Sequence, residues 1–111
     1  MLNKKTCIPC QGGIPSLDNK EISNFLININ SDWKVLNDIK ISRVFKFTDY
    51  LKGVDFAKQI AFLSEQEGHH PYIHINFKDI EVITFTHKIN GLHENDFILA
   101  AKCDEIFNKV L

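Results

Sequence analysis

Gly68-His69-His70-Pro71-Tyr72-Ile73-His74-Ile75-Asn76-Phe77-Lys78-Asp79-Ile80-Glu81-Val82-Ile83-Thr84-Phe85-Thr86-His87 holds the end of one kind of secondary structure and two lengths of another. Gly68 is a natural stop for a helix, because glycine takes the left-handed conformation that closes a C-terminal turn. Pro71 pushes His70 out of helical geometry into an extended one. Ile73, Ile75 and Phe77 then alternate with Tyr72, His74 and Asn76, a period of two that makes a strand with distinct faces. A turn near Lys78-Asp79 returns the chain as a second strand, Glu81–His87. On it Ile83, Phe85 and His87 share one face and Val82, Thr84 and Thr86 the other, with His87 at the strand's end.

Upstream, Thr48 or Asp49 caps a helix in which Leu51, Val54, Ala57, Ile60, Ala61 and Ser64 form one stripe, suited to lying on a sheet. Before it, Trp33–Leu36 and Ile39–Phe47 are β-rich stretches broken at Asn37-Asp38, two residues that suit a tight turn, so they read as a hairpin. Earlier still, Ser16 or Asp18 caps a helix whose Ile22, Phe25, Leu26 and Ile29 follow the i, i+3, i+4, i+7 rule. Downstream, Asn90-Gly91-Leu92 is a loop, and Asn95 or Glu94 starts a third helix with Phe97, Ile98, Ala101, Ile106 and Val110 on its apolar face. Hairpins interleaved with helices, without βαβ crossovers, give an α+β class: helices layered on an antiparallel sheet.

The chain is 111 residues long and 44% hydrophobic, enough for one core and one domain. The expected layout is a flexible N-terminal arm over 1–15, where Gln11-Gly12-Gly13-Ile14-Pro15 interrupts regular structure, and a single domain over 16–111. No run reaches the roughly 18 apolar residues of a membrane span, and no signal-peptide stretch follows Met1, so a cytoplasmic protein without membrane contact is expected. Thirteen basic residues are scattered among fourteen acidic ones for a net charge of −1, and Arg43 is the one arginine, which excludes a phosphate-tracking stripe and makes nucleic acid a poor partner. Three cysteines cannot all pair. Cys7-Ile8-Pro9-Cys10 has the spacing of half a zinc site or of a redox pair, but no second CxxC completes it.

His69, His70, His74, His87 and His93 all fall in one quarter of the chain. As metal ligands they are badly spaced: His70 and His74 would suit a helix, yet the extended segment after Pro71 sets them roughly 13 Å apart. As acid/base groups they need only converge on a small pocket, since imidazole titrates near neutral pH. His69 and His70 at a helix-to-strand junction and His87 at the end of the adjacent strand can do so. The alternative is that each is a satisfied core or surface histidine.

One pattern runs through this region: Glu65, three residues, His69-His70-Pro71, five residues, Phe77, nine residues, His87, eight residues, Asp96. It resembles the pterin-4a-carbinolamine dehydratase family, and the likeness extends through Trp33, Phe45-Lys46-Phe47, Asp49, Phe56, Gly91-Leu92 and Asp96-Phe97 to Ala100-Ala101. The resemblance implies a four-stranded antiparallel sheet with three helices packed on one face, assembled as a homodimer or homotetramer. It implies a lyase that dehydrates 4a-hydroxytetrahydrobiopterin to quinonoid dihydropterin, recycling the pterin of aromatic amino acid hydroxylases, with no cofactor and no metal. By the same resemblance His69, His70 and His87 are the catalytic set: His69 and His87 exchange protons and His70 orients the pterin. Glu65, Asp96 and Phe77 bind or orient, Asp96 by holding His87 or by capping the last helix, and Phe77 by walling the pterin or by packing in the core. Some relatives also serve as dimerisation partners of a transcription factor, so a binding module is the alternative. Where some members carry a cysteine this chain has Ile89.

Overall fold

The computed structural model describes residues 1–9 and 12–110. Helix α1, Asn19–Leu26, opens on Asp18: its carboxylate accepts from the Glu21 N–H at 2.8 Å while Glu21 accepts from the Asp18 N–H at 2.9 Å, satisfying two donors that the first turn leaves free. Strands β1, Lys34–Leu36, and β2, Lys40–Lys46, are joined through Asn37 and Asp38, both at positive φ, which their short polar side chains tolerate. Helix α2, Tyr50–Glu67, is capped by Asp49, whose side chain accepts from the Leu51 and Lys52 N–H groups. Gly68, at φ 64°, ends it as the sequence requires. Strands β3, Tyr72–Asn76, and β4, Asp79–Thr84, and helix α3, Glu94–Val110, complete the chain. The strands order as β1-β2-β4-β3, every pair antiparallel. The result is an α+β fold, a four-stranded antiparallel sheet with three helices.

Ile41 and Phe45 of β2 and Ile80, Val82 and Thr84 of β4 point to the helix side and are fully buried with Phe56 and Ile60 of α2 and Phe97 and Leu99 of α3. Phe45 is central, its ring 4.7 Å from Phe56 and 5.0 Å from Phe107. Burying a Phe or Ile side chain contributes roughly 1.5–3 kcal/mol. Arg43 is buried on this side, paired at 2.6 Å with Asp104, which also accepts from Trp33 Nε1 at 2.8 Å. Burial pushes the Asp104 carboxyl up against the pull of these donors. The opposite sheet face leaves Val44, Lys46, Tyr72 and His74 exposed. Among the described residues no helix is long and apolar enough to cross a membrane.

Three features differ from expectation. First, β4 stops at Thr84 rather than running to His87: its last pairing is with Ile41, one residue from the start of β2 at Lys40. The chain closes on itself instead, Thr86 and Gly91 exchanging hydrogen bonds of 2.8 and 3.4 Å around a 3-10 turn, His87–Ile89. The entering segment packs so closely here that a Cβ on Gly91 would lie 2.5 Å from Ser16 Cβ. Second, Asn76 pairs with Asp79, which makes Phe77-Lys78 the turn. Phe77 is therefore neither strand nor core but an exposed residue at φ 56°. Third, the described part of the N-terminal arm is docked. A 3-10 turn at Leu2–Lys4 buries Leu2, and the Cys7 N–H donates to Glu67 Oε1 at 2.8 Å. Ile8 exchanges two hydrogen bonds with the Asn95 side chain. Unpaired main-chain groups found polar partners on α2 and α3, which composition does not reveal. Cys10 and Gln11 lie outside the described residues.

Candidate active site

The start of β3 and the finish of β4 lie at one end of the sheet, where Tyr72 pairs with Ile83. Gly68 turns the chain there, and the next side chain, His69, goes inward with 9% of its surface exposed. Its Nε2 lies 2.6 Å from Oδ1 of Asp96, which is completely buried. The same oxygen accepts from the Thr84 hydroxyl at 2.7 Å; the other, Oδ2, accepts from the Thr86 hydroxyl at 2.9 Å and the His93 N–H at 3.0 Å. Thr84 and Thr86 alternate with Phe85, which sends both hydroxyls to one side. Asp96 also belongs to the first turn of α3. His93 stands before that helix and caps it, its Nδ1 accepting from the Asn95 N–H at 3.0 Å, while Asp96 reaches back to the His93 N–H. The positive end of a helix suits a carboxylate.

His70 points the other way, into solvent, and its Nε2 meets Glu65 Oε2 at 2.5 Å. Glu65 sits in the last turns of α2, and both partners are exposed. His87 is exposed as well, its ring centroid 4.1 Å from Phe85 and 5.7 Å from Tyr72. The sheet end thus carries a buried imidazole on a carboxylate, an exposed imidazole on a carboxylate, and an exposed imidazole resting on aromatic rings. Imidazoles at such places have the chemistry of general acids and bases. Among the described residues no three His, Cys, Asp or Glu side chains are placed to hold a metal ion. A cavity of about 750 Å³ between the N-terminal turn, α1 and α3 has no histidine in its lining, which includes Asn28, Asp104 and Glu105.

The family model for pterin 4 alpha carbinolamine dehydratase matches residues 15–106. This chain belongs to that family. By membership it is a dehydratase. Its relatives include proteins provisionally named pterin-4-alpha-carbinolamine dehydratase from Rickettsia canadensis (strain McKiel), 46% identical over 94% of this chain and 95% of the relative. Another, from Methylococcus capsulatus (strain ATCC 33009 / NCIMB 11132 / Bath), is 46% identical over 95% of this chain and 92% of the relative. A crystal structure of a transcriptional coactivator/pterin dehydratase from Brucella melitensis superposes with a TM-score of 0.76 at 30% identity, covering 82% of this chain and 97% of that one.

For this member of the dehydratase family, the fold brings His69, His70 and Asp96 to one end of the sheet, with Glu65 beside His70 and with His87 three residues beyond Thr84, the last paired residue of β4. It corrects two expectations. The Asp96 oxygens are taken by His69, Thr84, Thr86 and the His93 N–H, so the histidine ring that meets Asp96 is His69, where His87 was expected. Phe77 lies at the far end of β3, about 20 Å of extended chain from His70. The aromatic rings against His87 are Phe85 and Tyr72. Sequence reading also passed over Thr84, Thr86 and His93. The signal for the threonines was present: two hydroxyls on the inward face of a strand need a buried acceptor.

Proposed function

We propose that the chain dehydrates a 4a-hydroxytetrahydropterin by histidine acid/base catalysis, recycling the pterin released by aromatic amino acid hydroxylases. The observation that supports this most is the buried His69–Asp96 pair beside two further histidines at the sheet end. In the reaction a base takes the N5 proton, the N5 electrons form the C4a=N5 bond, and the C4a–O bond breaks as the hydroxyl leaves with a proton as water. One imidazole accepting and one donating suffice, and the chemistry calls for no metal or cofactor. On this reading His69 and His87 exchange the protons, and His70, braced by Glu65, holds the pterin. The setting is cytoplasmic and the assembly a homodimer or homotetramer.

The direct test generates the carbinolamine with a phenylalanine hydroxylase and follows its loss with and without this protein, after subtracting the spontaneous rate. His69→Ala and His87→Ala each lower kcat by about 10²- to 10⁴-fold, and the double variant costs less than the product because the two act as a unit. His70→Gln raises KM and spares more of kcat. Turnover survives exhaustive chelation with EDTA. Unchanged kcat in both alanine variants, with native circular dichroism, would remove the assignment. It would favour the second reading, a binding module, which the naming of the Brucella protein as a transcriptional coactivator raises.

A further inference from the structure

Asp96 is completely buried, yet it carries more partners than a helix cap needs. Three hydrogens already point at its two oxygens, from the Thr84 and Thr86 hydroxyls and the His93 N–H. An ionised carboxylate is an acceptor only, so the fourth partner, Nε2 of His69, fits the same set as a donor. A neutral imidazole that donates from Nε2 has its lone pair on Nδ1. Thr84 shares Oδ1 with His69 and Thr86 shares Oδ2 with the His93 N–H, which pins both oxygens and prevents the carboxylate from turning.

We propose that Thr84 and Thr86 are positioning residues that hold Asp96 against His69, so that His69 exchanges protons with the substrate through Nδ1. The proposal rests on the dehydratase reading of this site and names the atom and its supports. Neither threonine touches the pterin. Each acts through Asp96, and each sits on rigid β4 or the bridge that follows it, so the orientation is built into the fold. Loss of either hydroxyl leaves one carboxylate oxygen short of a donor and lets the group rotate, and a tautomer error at an orienting carboxylate costs turnover heavily.

The test replaces each hydroxyl with a methyl group of nearly the same size, Thr84→Val and Thr86→Val, and uses Thr84→Ser as the variant that restores a hydroxyl. Expected are a fall in kcat of about 10- to 100-fold in each valine variant with KM little changed, and recovery in Thr84→Ser. Nitrogen-15 spectra of histidine-labelled protein give a second readout, independent of turnover. Neutral His69 in the unsubstituted protein shows a protonated Nε2 and a bare Nδ1, and Thr84→Val with Thr86→Val shows a tautomer mixture. A protonated Nδ1 in the unsubstituted protein overturns the proposal, as does a double valine variant with unaltered kcat and tautomer. A protein that never accelerates carbinolamine loss sinks the dehydratase reading, and the tautomer signal then still decides the placement of the hydrogen.

Discussion

Asp96→Asn keeps the volume of the side chain and changes what its atoms can accept. An amide presents two hydrogens on one side, and whichever way it turns they meet the Thr86 and His93 donors or the Thr84 and His69 donors. A donor facing a donor in a buried place costs about 1–3 kcal/mol, so urea unfolding of this variant shifts by that amount and kcat falls with it. An unfolding midpoint equal to that of the unsubstituted protein would mean that the oxygens are not engaged as described. Glu65→Gln makes the opposite case, because the His70–Glu65 pair is exposed on both sides. Its removal changes stability by less than about 1 kcal/mol. These two carboxylates stand in one motif, and the family resemblance implied an orienting role for both of them. Spacing could not say which histidine Asp96 serves, because that depends on how α3 docks across the end of β4.

Two helix beginnings and one end were legible because a single residue decides each of them: Asp18 and Asp49, each one of two caps the sequence offered, and Gly68 do what their chemistry implies, whereas the His93 cap of α3 was passed over. The ends of strands were not, since a strand stops where its neighbour stops. Glu81–His87 keeps its alternation past Thr84, but the pairing with β2 stops at Ile41, one residue from the start of that strand. The β3–β4 turn shows the same dependence, its register placing Phe77 at positive φ where glycine or asparagine is more at ease. Phe77→Asn is therefore expected to leave stability unchanged or raise it by roughly 0.5–1 kcal/mol. The variant keeps full turnover because the residue is remote from the histidines. A large loss of kcat in Phe77→Asn would return Phe77 to the site.

On the scale of the whole molecule, two thiols link stability to pH. Burial, with Glu67 next to it, pushes the Cys7 thiol up to about 12, and burial also pushes Cys103 up. Both favour the protonated form when folded, so their contribution is complete below the ordinary thiol value and is lost progressively as pH rises from there through the raised folded value. The urea midpoint should begin to drop near pH 9 and keep falling toward about pH 12, less steeply in Cys7→Ser. The molecule's outer surface leads to a larger consequence. Among the described residues the sheet ends at β3, with no strand beside its outer edge, and Tyr72 and Ile75 on that strand are 46% and 45% exposed. Helix α2 leaves Leu51 and Phe62 exposed at 71% and 62%. A free edge and apolar side chains on both layers are liabilities for a lone subunit, and they favour pairing with a second copy. Sedimentation equilibrium at micromolar concentration should give a multiple of the 12.8 kDa chain mass. Ile75→Lys places a charge on the edge strand and should shift the distribution toward the single chain without unfolding it, because Ile75 is outside the buried core. A single-chain mass for the unsubstituted protein under those conditions would show that the edge and the helix surface stay open in solution.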